Sequence, residues 1–225
     1  LSRFVNWEEG NTFILFGYGA GAFVLQASEK PGGVLSAVMH SDGSGGELLT
    51  LPAGGSRHPA TEATIREGQH YIYMDGKEVF RFATKVMASS TEEVLKSAGL
   101  TKDDISVIIP HQANFRIIDA AARGLKLPIE RFVVNVDRYG NTSTASIPIA
   151  TVEAVEKGRV KAGEKVVFVG FGAGLTWGAL VAEWTGPLPT PRKVNVGRDR
   201  LWGRIRSILH RIERFLEGII WGRRA

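Results

Sequence analysis

The residue types able to do chemistry in this chain concentrate between Ile105 and Ser146. An apolar run, Ile105-Ser106-Val107-Ile108-Ile109, ends at Pro110 and passes directly into His111-Gln112-Ala113-Asn114-Phe115-Arg116. Thirty residues beyond His111 stands Asn141, within Tyr139-Gly140-Asn141-Thr142-Ser143 at the head of a helical pattern. A histidine at the mouth of one strand and an asparagine at the mouth of the next can donate two hydrogen bonds to one oxygen, the requirement for holding an oxyanion. A histidine so placed can also act as a general base. His40, His58 and His70 have no metal-ligand spacing with one another or with acids, so no metal site is expected.

Composition narrows the chemistry. The 225 residues are 44% hydrophobic and 23% charged, ordinary for a soluble globular protein of one or two domains. No run of about 18 apolar residues suggests a membrane span, and no signal-peptide pattern opens the chain, which makes the cytoplasm the expected location. The chain contains no cysteine, which removes disulfides, cysteine–metal sites and a cysteine nucleophile. From Pro187 onward there are ten Lys and Arg against three acids, a net +7. The remaining residues then carry 18 basic and 20 acidic groups, a net −2. The basic character belongs to the tail, so the body is not read as a nucleic-acid binder.

The elements that position these residues follow from periodicity. Thr12–Phe16 and Ala22–Gln26 read as strands flanking Gly17-Tyr18-Gly19-Ala20-Gly21. That glycine run lacks the βαβ context of a dinucleotide site and reads as tight packing. Val34–His40 is a further strand, and His40–Gly46 and Ala53–Pro59 are turn-rich loops. Met74–Gly99 is helical, with Val79, Phe82, Ala83 and Val86 at three- and four-residue spacing and Gly99 as stop. A strand at Ile105–Ile109 leads to a helix from about Gln112 to Leu125, then a short buried strand at Phe132–Val136. A helix from about Thr144 to Lys157 follows, with Thr142 or Ser143 as cap, Pro148 in its first turns and Gly158 as stop. Glu164–Phe171 and Thr176–Trp184 complete a layered α/β arrangement of central helices and mostly buried strands.

Pro110-His111-Gln112-Ala113-Asn114-Phe115-Arg116-Ile117, Gly140-Asn141-Thr142-Ser143 and Phe171-Gly172-Ala173-Gly174-Leu175-Thr176-Trp177-Gly178 closely resemble the β-ketoacyl-acyl-carrier-protein synthase III family of the thiolase fold. Leu48-Leu49-Thr50-Leu51-Pro52 and Gly76-Lys77-Glu78-Val79-Phe80 do so as well, and the resemblance runs in order from Leu1 to about Trp184. It implies a thiolase-like layered α/β fold in which 1–27 are the last strands of a first half and 28–186 a complete second half bearing the His/Asn site. Residues 187–225 are then an added Pro-rich linker and basic amphipathic helix. The family's cysteine nucleophile lies earlier in the first half, so the resemblance implies a chain lacking most of that half, inactive on its own.

The implied activity is the acyltransferase step that initiates fatty-acid synthesis, a decarboxylative condensation of acyl-CoA with malonyl-acyl-carrier protein. Coenzyme A enters as a thioester substrate, and no cofactor is implied. His111 and Asn141 would hold the enolate oxygen that develops on decarboxylation. Because decarboxylation makes a carbanion without removing a proton, donation suits His111 better than general-base action. Ala173 stands where a glycine is usual in the turn whose backbone N–H holds a second oxyanion, which is tolerable if φ there is negative. Phe80 and Gly76 match positions near the acyl pocket, and Arg3 one near the coenzyme A adenine. Arg116, Arg123 and Arg81 are candidates to dock the acidic carrier protein and the pantetheine phosphate. A homodimer is implied for the full-length protein.

In the tail, Pro187, Pro189 and Pro191 read as a stiff connector. Leu201, Ile205, Ile208, Leu209, Ile212, Phe215, Leu216, Ile219 and Ile220 recur at helical spacing, interleaved with Arg204, Arg206, Arg211 and Arg214 and bounded by Trp202 and Trp221. Residues 198–222 would suit an anionic membrane surface, or the stripe packs on the body or a neighbouring subunit. Two further readings stand beside the main one. A natural short protein would be a non-catalytic partner of a cysteine-bearing subunit, and another thiolase-fold condensing enzyme, such as a polyketide starter synthase, would use the same residues.

Overall fold

The computed structural model describes residues 3–29, 31–186 and 196–220. Two compact units divide the chain, Leu1–Leu188 and Pro189–Ala225. In chain order the first contains α1 (Gly10–Phe13), β1 (Gly33–Ser41), β2 (Leu49–Thr50), α2 (Glu62–Arg66), β3 (Tyr73–Met74), α3 (Gly76–Ser97) and β4 (Val107–Pro110). Then come α4 (Phe115–Leu125), α5 (Val136–Tyr139), α6 (Ser146–Glu156), β5 (Lys165–Gly172) and β6 (Thr176–Glu183). The second unit contains α7 (Val196–Ile220).

Four strands form one sheet in the order β1-β6-β5-β4. β4 runs parallel to β5, whereas β6 is antiparallel to both of its neighbours. Side-chain alternation divides the core between the two faces of this sheet. Ile108, Val167, Val169 and Val181 pack with Ala83 and Met87 of α3 and with Ile117, Ile118, Ala121 and Leu125 of α4. Val107, Ile109 and Val166 face Ala150, Ala154 and Val155 of α6. All four residues of β4 are buried, as expected for a strand covered by helices on both sides. β2 and β3 make a separate two-stranded ribbon.

The helix starts have local causes. The Asp75 carboxylate accepts from the backbone N–H groups of Lys77 and Glu78, capping α3. Asn114 does the same for α4 through Arg116 N–H. α4 therefore begins at Phe115 rather than Gln112, which leaves His111 and Gln112 in the turn between strand and helix. Gly99, just past α3, has φ +67, the left-handed stop its residue type permits.

Several expected elements differ. Thr12–Phe16 and Ala22–Gln26 are not strands. Residues 10–13 form α1, Phe16 makes a single bridge to Asn141, and 17–27 have no regular structure. Val24 and Leu25 are largely exposed, and no strand among the described residues pairs with this stretch. An extended, apolar sequence becomes a strand only where a neighbour takes its backbone hydrogen bonds. Likewise Phe132–Val136 is not a strand: only Phe132 bridges Ile108, and Val136 already begins α5. Neither Thr142 nor Ser143 caps α6, which is entered instead through a 3-10 turn at Ser143–Ala145 with no side-chain cap.

In the second unit α7 is one continuous helix, and Leu201, Trp202, Ile208, Leu209 and Ile212 are each at least half exposed. The Pro187–Pro191 connector and Trp221 lie outside the described residues. Among those described, no helix is long and apolar enough to cross a membrane.

Candidate active site

His111 is held at the end of β4 by three contacts. Its backbone N–H donates to Val169 C=O at 2.8 Å, extending the pairing with β5 one residue past Pro110. Its Nδ1 lies 2.6 Å from Ser146 Oγ on the first residue of α6. Phe171 meets the ring edge-to-face, with 5.4 Å between centroids. Burial in this apolar corner disfavours the imidazolium and pushes the His111 pKa down to about 4. The ring is therefore a neutral donor near pH 7.

Gln112, 1% exposed, fixes the turn from beneath. Its Nε2 donates to Pro110 C=O and to Val133 C=O, both at 2.9 Å. Its Oε1 accepts from Asn135 N–H at 2.9 Å. One side-chain amide thus joins the His111 turn to the segment that leads on to Asn141.

Asn141 sits on a turn that requires its glycine. Gly140 has φ +65, and a Cβ there would lie 3.1 Å from Leu15 C=O. That close approach lets Asn141 N–H donate to Leu15 C=O at 2.7 Å, while Gly17 N–H donates to Asn141 C=O at 2.9 Å. Gly17 is equally constrained, since a Cβ would come within 1.8 Å of Tyr139 C=O. Gly19 and Gly21 abut Ile149 and Pro148 in the same way, so the glycine run serves close packing. The Asn141 Oδ1 accepts from Ser143 N–H at 2.8 Å. That bond supports Ser143 in the left-handed region at φ +55, an uncommon state for a residue with a Cβ. With Oδ1 occupied and no partner for Nδ2 among the described residues, the NH₂ of Asn141 is left to donate.

A charged cluster anchors the approach to this turn. Burial would raise the Glu153 pKa, but hydrogen bonds from Arg138, Lys157 and Asn135 outweigh it and hold the carboxylate at about 2. Asn135 Nδ2 donates to Glu153 at 3.0 Å, and Arg138 also lies over the Tyr139 ring. α5 is therefore tied to α6 at both ends.

His111 and Asn141 line one cleft of ≈ 1110 Å³, together with Gly76, Phe80, Ser146, Phe171 and Ala173. The Leu49-Thr50-Leu51 segment also borders it. Ala173 has no positive φ, so its side chain is tolerated in the Gly-rich turn. The Arg116 guanidinium lies 5.5 Å from the centroid of the Phe80 ring, which lines the cleft, and has no carboxylate partner among the described residues. Arg81 pairs with Glu78 at 3.0 Å and Arg123 pairs with Asp119, so both are exposed but partly neutralised. Arg3 is exposed and outside the cleft lining. His40 pairs with Glu93 and stacks on Trp177, and His70 bonds Thr64 Oγ1. Among the described residues no group of His, Cys, Asp and Glu could hold a metal ion.

Ser146 and the Glu153 cluster were not anticipated as parts of this site. Their links to His111 and α5 span 35 and 18 residues, and such pairings leave no local pattern. The one available signal was a serine beginning a helix whose first turn is otherwise apolar.

Comparison with known proteins identifies the fold and the family. A family model described as 3-Oxoacyl-[acyl-carrier-protein (ACP)] synthase III C terminal matches residues 95–184. The model 3-Oxoacyl-[acyl-carrier-protein (ACP)] synthase III matches residues 1–43. The β-ketoacyl-[acyl-carrier-protein] synthase III of Roseiflexus sp. (strain RS-1) is 50% identical over 185 residues, covering 82% of this chain and 56% of that relative. Its counterpart in Symbiobacterium thermophilum is 53% identical over 184 residues, with the same coverage of 82% and 56%. The crystal structure of 3-oxoacyl-[acyl-carrier-protein] synthase III from Aquifex aeolicus VF5 superimposes with a TM-score of 0.71 at 43% identity, over 82% of this chain and 55% of that one. The sheet and its covering helices are those of a thiolase-fold α/β protein. Within that class, the chain belongs to the β-ketoacyl-acyl-carrier-protein synthase III family. It spans little more than half the length of the relatives it matches.

The depressed His111 pKa has a measurable consequence. The unfolded chain takes up this proton near 6.5 and the folded chain near 4, so His111 makes stability fall as pH drops through that window. NMR titration of the imidazole should give a midpoint near about 4, and His111→Gln should flatten this part of the stability profile. A midpoint near 6.5 would contradict the buried, neutral ring.

Proposed function

We propose that these residues form the electrophilic half of a condensing site, acting in the decarboxylative condensation of an acyl-CoA with malonyl-acyl-carrier protein that initiates fatty-acid synthesis. The observation that carries this reading is a neutral histidine and an asparagine with an unpartnered NH₂ on one cleft. When the malonyl carboxylate leaves as carbon dioxide, the electron pair of its C–C bond moves onto the thioester carbonyl, making an enolate. That oxygen accepts one hydrogen bond from the His111 ring and one from Asn141. The carbanion then attacks an acyl thioester, whose own oxyanion is held by the Ala173 backbone N–H. Its collapse breaks the acyl C–S bond and releases the thiolate that carried the acyl group, and that thiolate takes a proton from solvent. A His111 pKa of about 4 supports donation over general-base action, because so weak a base abstracts protons poorly near neutrality.

The acyl group needs a thiol to carry it, and these 225 residues contain no cysteine. In this reading the nucleophile belongs to residues outside this sequence. Coenzyme A is a substrate carrier, not a resident cofactor. Arg116 is the strongest carrier-protein contact, being exposed, lying over the cleft-lining Phe80 ring, and without a carboxylate partner among the described residues. Arg81 and Arg123 add weaker positive charge, and Arg3 a contact to the adenine end. Phe80 and Gly76 border the acyl chain, and the full-length protein is a homodimer. Incubation of the chain with acetyl-CoA and malonyl-acyl-carrier protein should yield neither a ketoacyl product nor an acyl-enzyme by mass spectrometry. Adding a cysteine-bearing first half should restore the product. Turnover by the chain alone would refute the assignment of the nucleophile.

A second reading concerns α7. Its described apolar residues are exposed, with Arg204, Arg206 and Arg211 between them. This pattern supports a helix lying on an anionic membrane surface, its arginines at the headgroups. Sedimentation with phosphatidylglycerol vesicles should retain the chain, less so at high salt, and a version ending at Gly186 should stay in solution. Equal binding by both would remove the membrane reading and leave protein–protein packing of the stripe.

A further inference from the structure

We infer that Ser146 is a positioning residue that fixes His111 in the tautomer carrying its proton on Nε2. The inference rests on the proposed donor role of His111, and it specifies which nitrogen can donate. A serine hydroxyl has one hydrogen to give and two lone pairs to accept with. Ser146 is 2% exposed, so water is a poor substitute for protein partners. Two groups lie within hydrogen-bond distance of its oxygen, the Gln112 backbone N–H at 3.3 Å and His111 Nδ1 at 2.6 Å. The backbone N–H can only donate, so it takes a lone pair.

Two arrangements of the remaining contact are then open. If His111 Nδ1 bore the proton, both neighbours would donate to Ser146 and its own hydrogen would be buried with no acceptor among the described residues. If Nδ1 is unprotonated, the hydroxyl donates to it and every group is satisfied. Buried polar groups overwhelmingly adopt the satisfied arrangement. The proton then sits on Nε2. Gln112 takes part twice: its side chain holds the turn, and its backbone N–H orients the hydroxyl that orients the ring. The functional corollary is that a residue on α6, 35 positions from His111, decides whether the histidine offers a donor from Nε2.

The assignment can be read without substrate. The chain, labelled with ¹⁵N-histidine, is examined by two-dimensional NMR near pH 7. The His111 signals are identified by their loss in His111→Gln. The wild type should show an unprotonated Nδ1 and a protonated Nε2. Ser146→Ala removes the donor and should raise the Nδ1–H population by roughly five- to tenfold, as loss of one ordinary hydrogen bond implies. Ser146→Thr keeps the hydroxyl and should retain the wild-type pattern, with circular dichroism confirming that both variants fold. A protonated Nδ1 in the wild type, or an unchanged population in Ser146→Ala, would overturn the assignment. Failure of the functional reading would show separately, as malonyl-thioester decarboxylation indifferent to His111.

Discussion

A single buried side-chain amide sets the geometry on which the site depends. Gln112 satisfies Pro110 C=O, Val133 C=O and Asn135 N–H, three backbone groups that the end of β4 and the 132–135 segment leave without ladder partners. Leaving any one of them buried and unpaired costs about 1–3 kcal/mol. The sequence supplies no strand there to do this work, since Phe132 bridges Ile108 only once. Gln112 acts as a substitute strand edge. Its neighbour His111 is thereby carried to a defined point, and the chain beyond Asn135 is aimed at the Asn141 turn.

Around that clamp the polar groups divide into those that are occupied and those that are free. Ser146 takes His111 Nδ1, Ser143 N–H takes Asn141 Oδ1, and the Glu153 carboxylate binds Arg138, Lys157 and Asn135. Among the described residues, the donors left unpaired at the cleft include one on His111 and one on Asn141. Fixed donors in a partly water-excluded cleft need no reorganisation when charge develops on an oxygen, which is why such sites accelerate reactions far more than the same groups in water. The low His111 pKa follows from the same burial that orients it. A charged imidazole would have to be accommodated beside Phe171 and the sheet, so neutrality and donor chemistry come together.

Much of this was legible in the sequence, and the failures share a physical cause. α3, β4, β5 and β6 followed from local periodicity, because each buries a face whose spacing is written in consecutive residues. The residues 12–16, 22–26 and 132–136 have strand-like composition, yet strand formation depends on a neighbour that composition does not encode. The His111 and Asn141 pair was picked out by its motifs, and His111 does stand at a strand end, whereas Asn141 follows the short helix α5 and not the strand its sequence suggested. Ser146, Glu153 and the internal role of Gln112 were not, because a hydrogen bond closing 23 or 35 residues of chain leaves no periodic trace. The glycines at 17 and 140 lie between these cases. Their type signalled close approach, and only the fold showed that each approaches the other's segment, letting Asn141 pair with Leu15 and Gly17.

We propose that His111 and Asn141 stabilise an enolate in a chain with no cysteine to hold an acyl group. It is tested most directly by carbon dioxide release from malonyl-acyl-carrier protein, measured for the chain and for His111→Ala and Asn141→Ala. The account predicts slow decarboxylation without condensation, lowered on the order of 10²–10³-fold by loss of either donor. Decarboxylation that is absent, or that is unchanged in both variants, would contradict it.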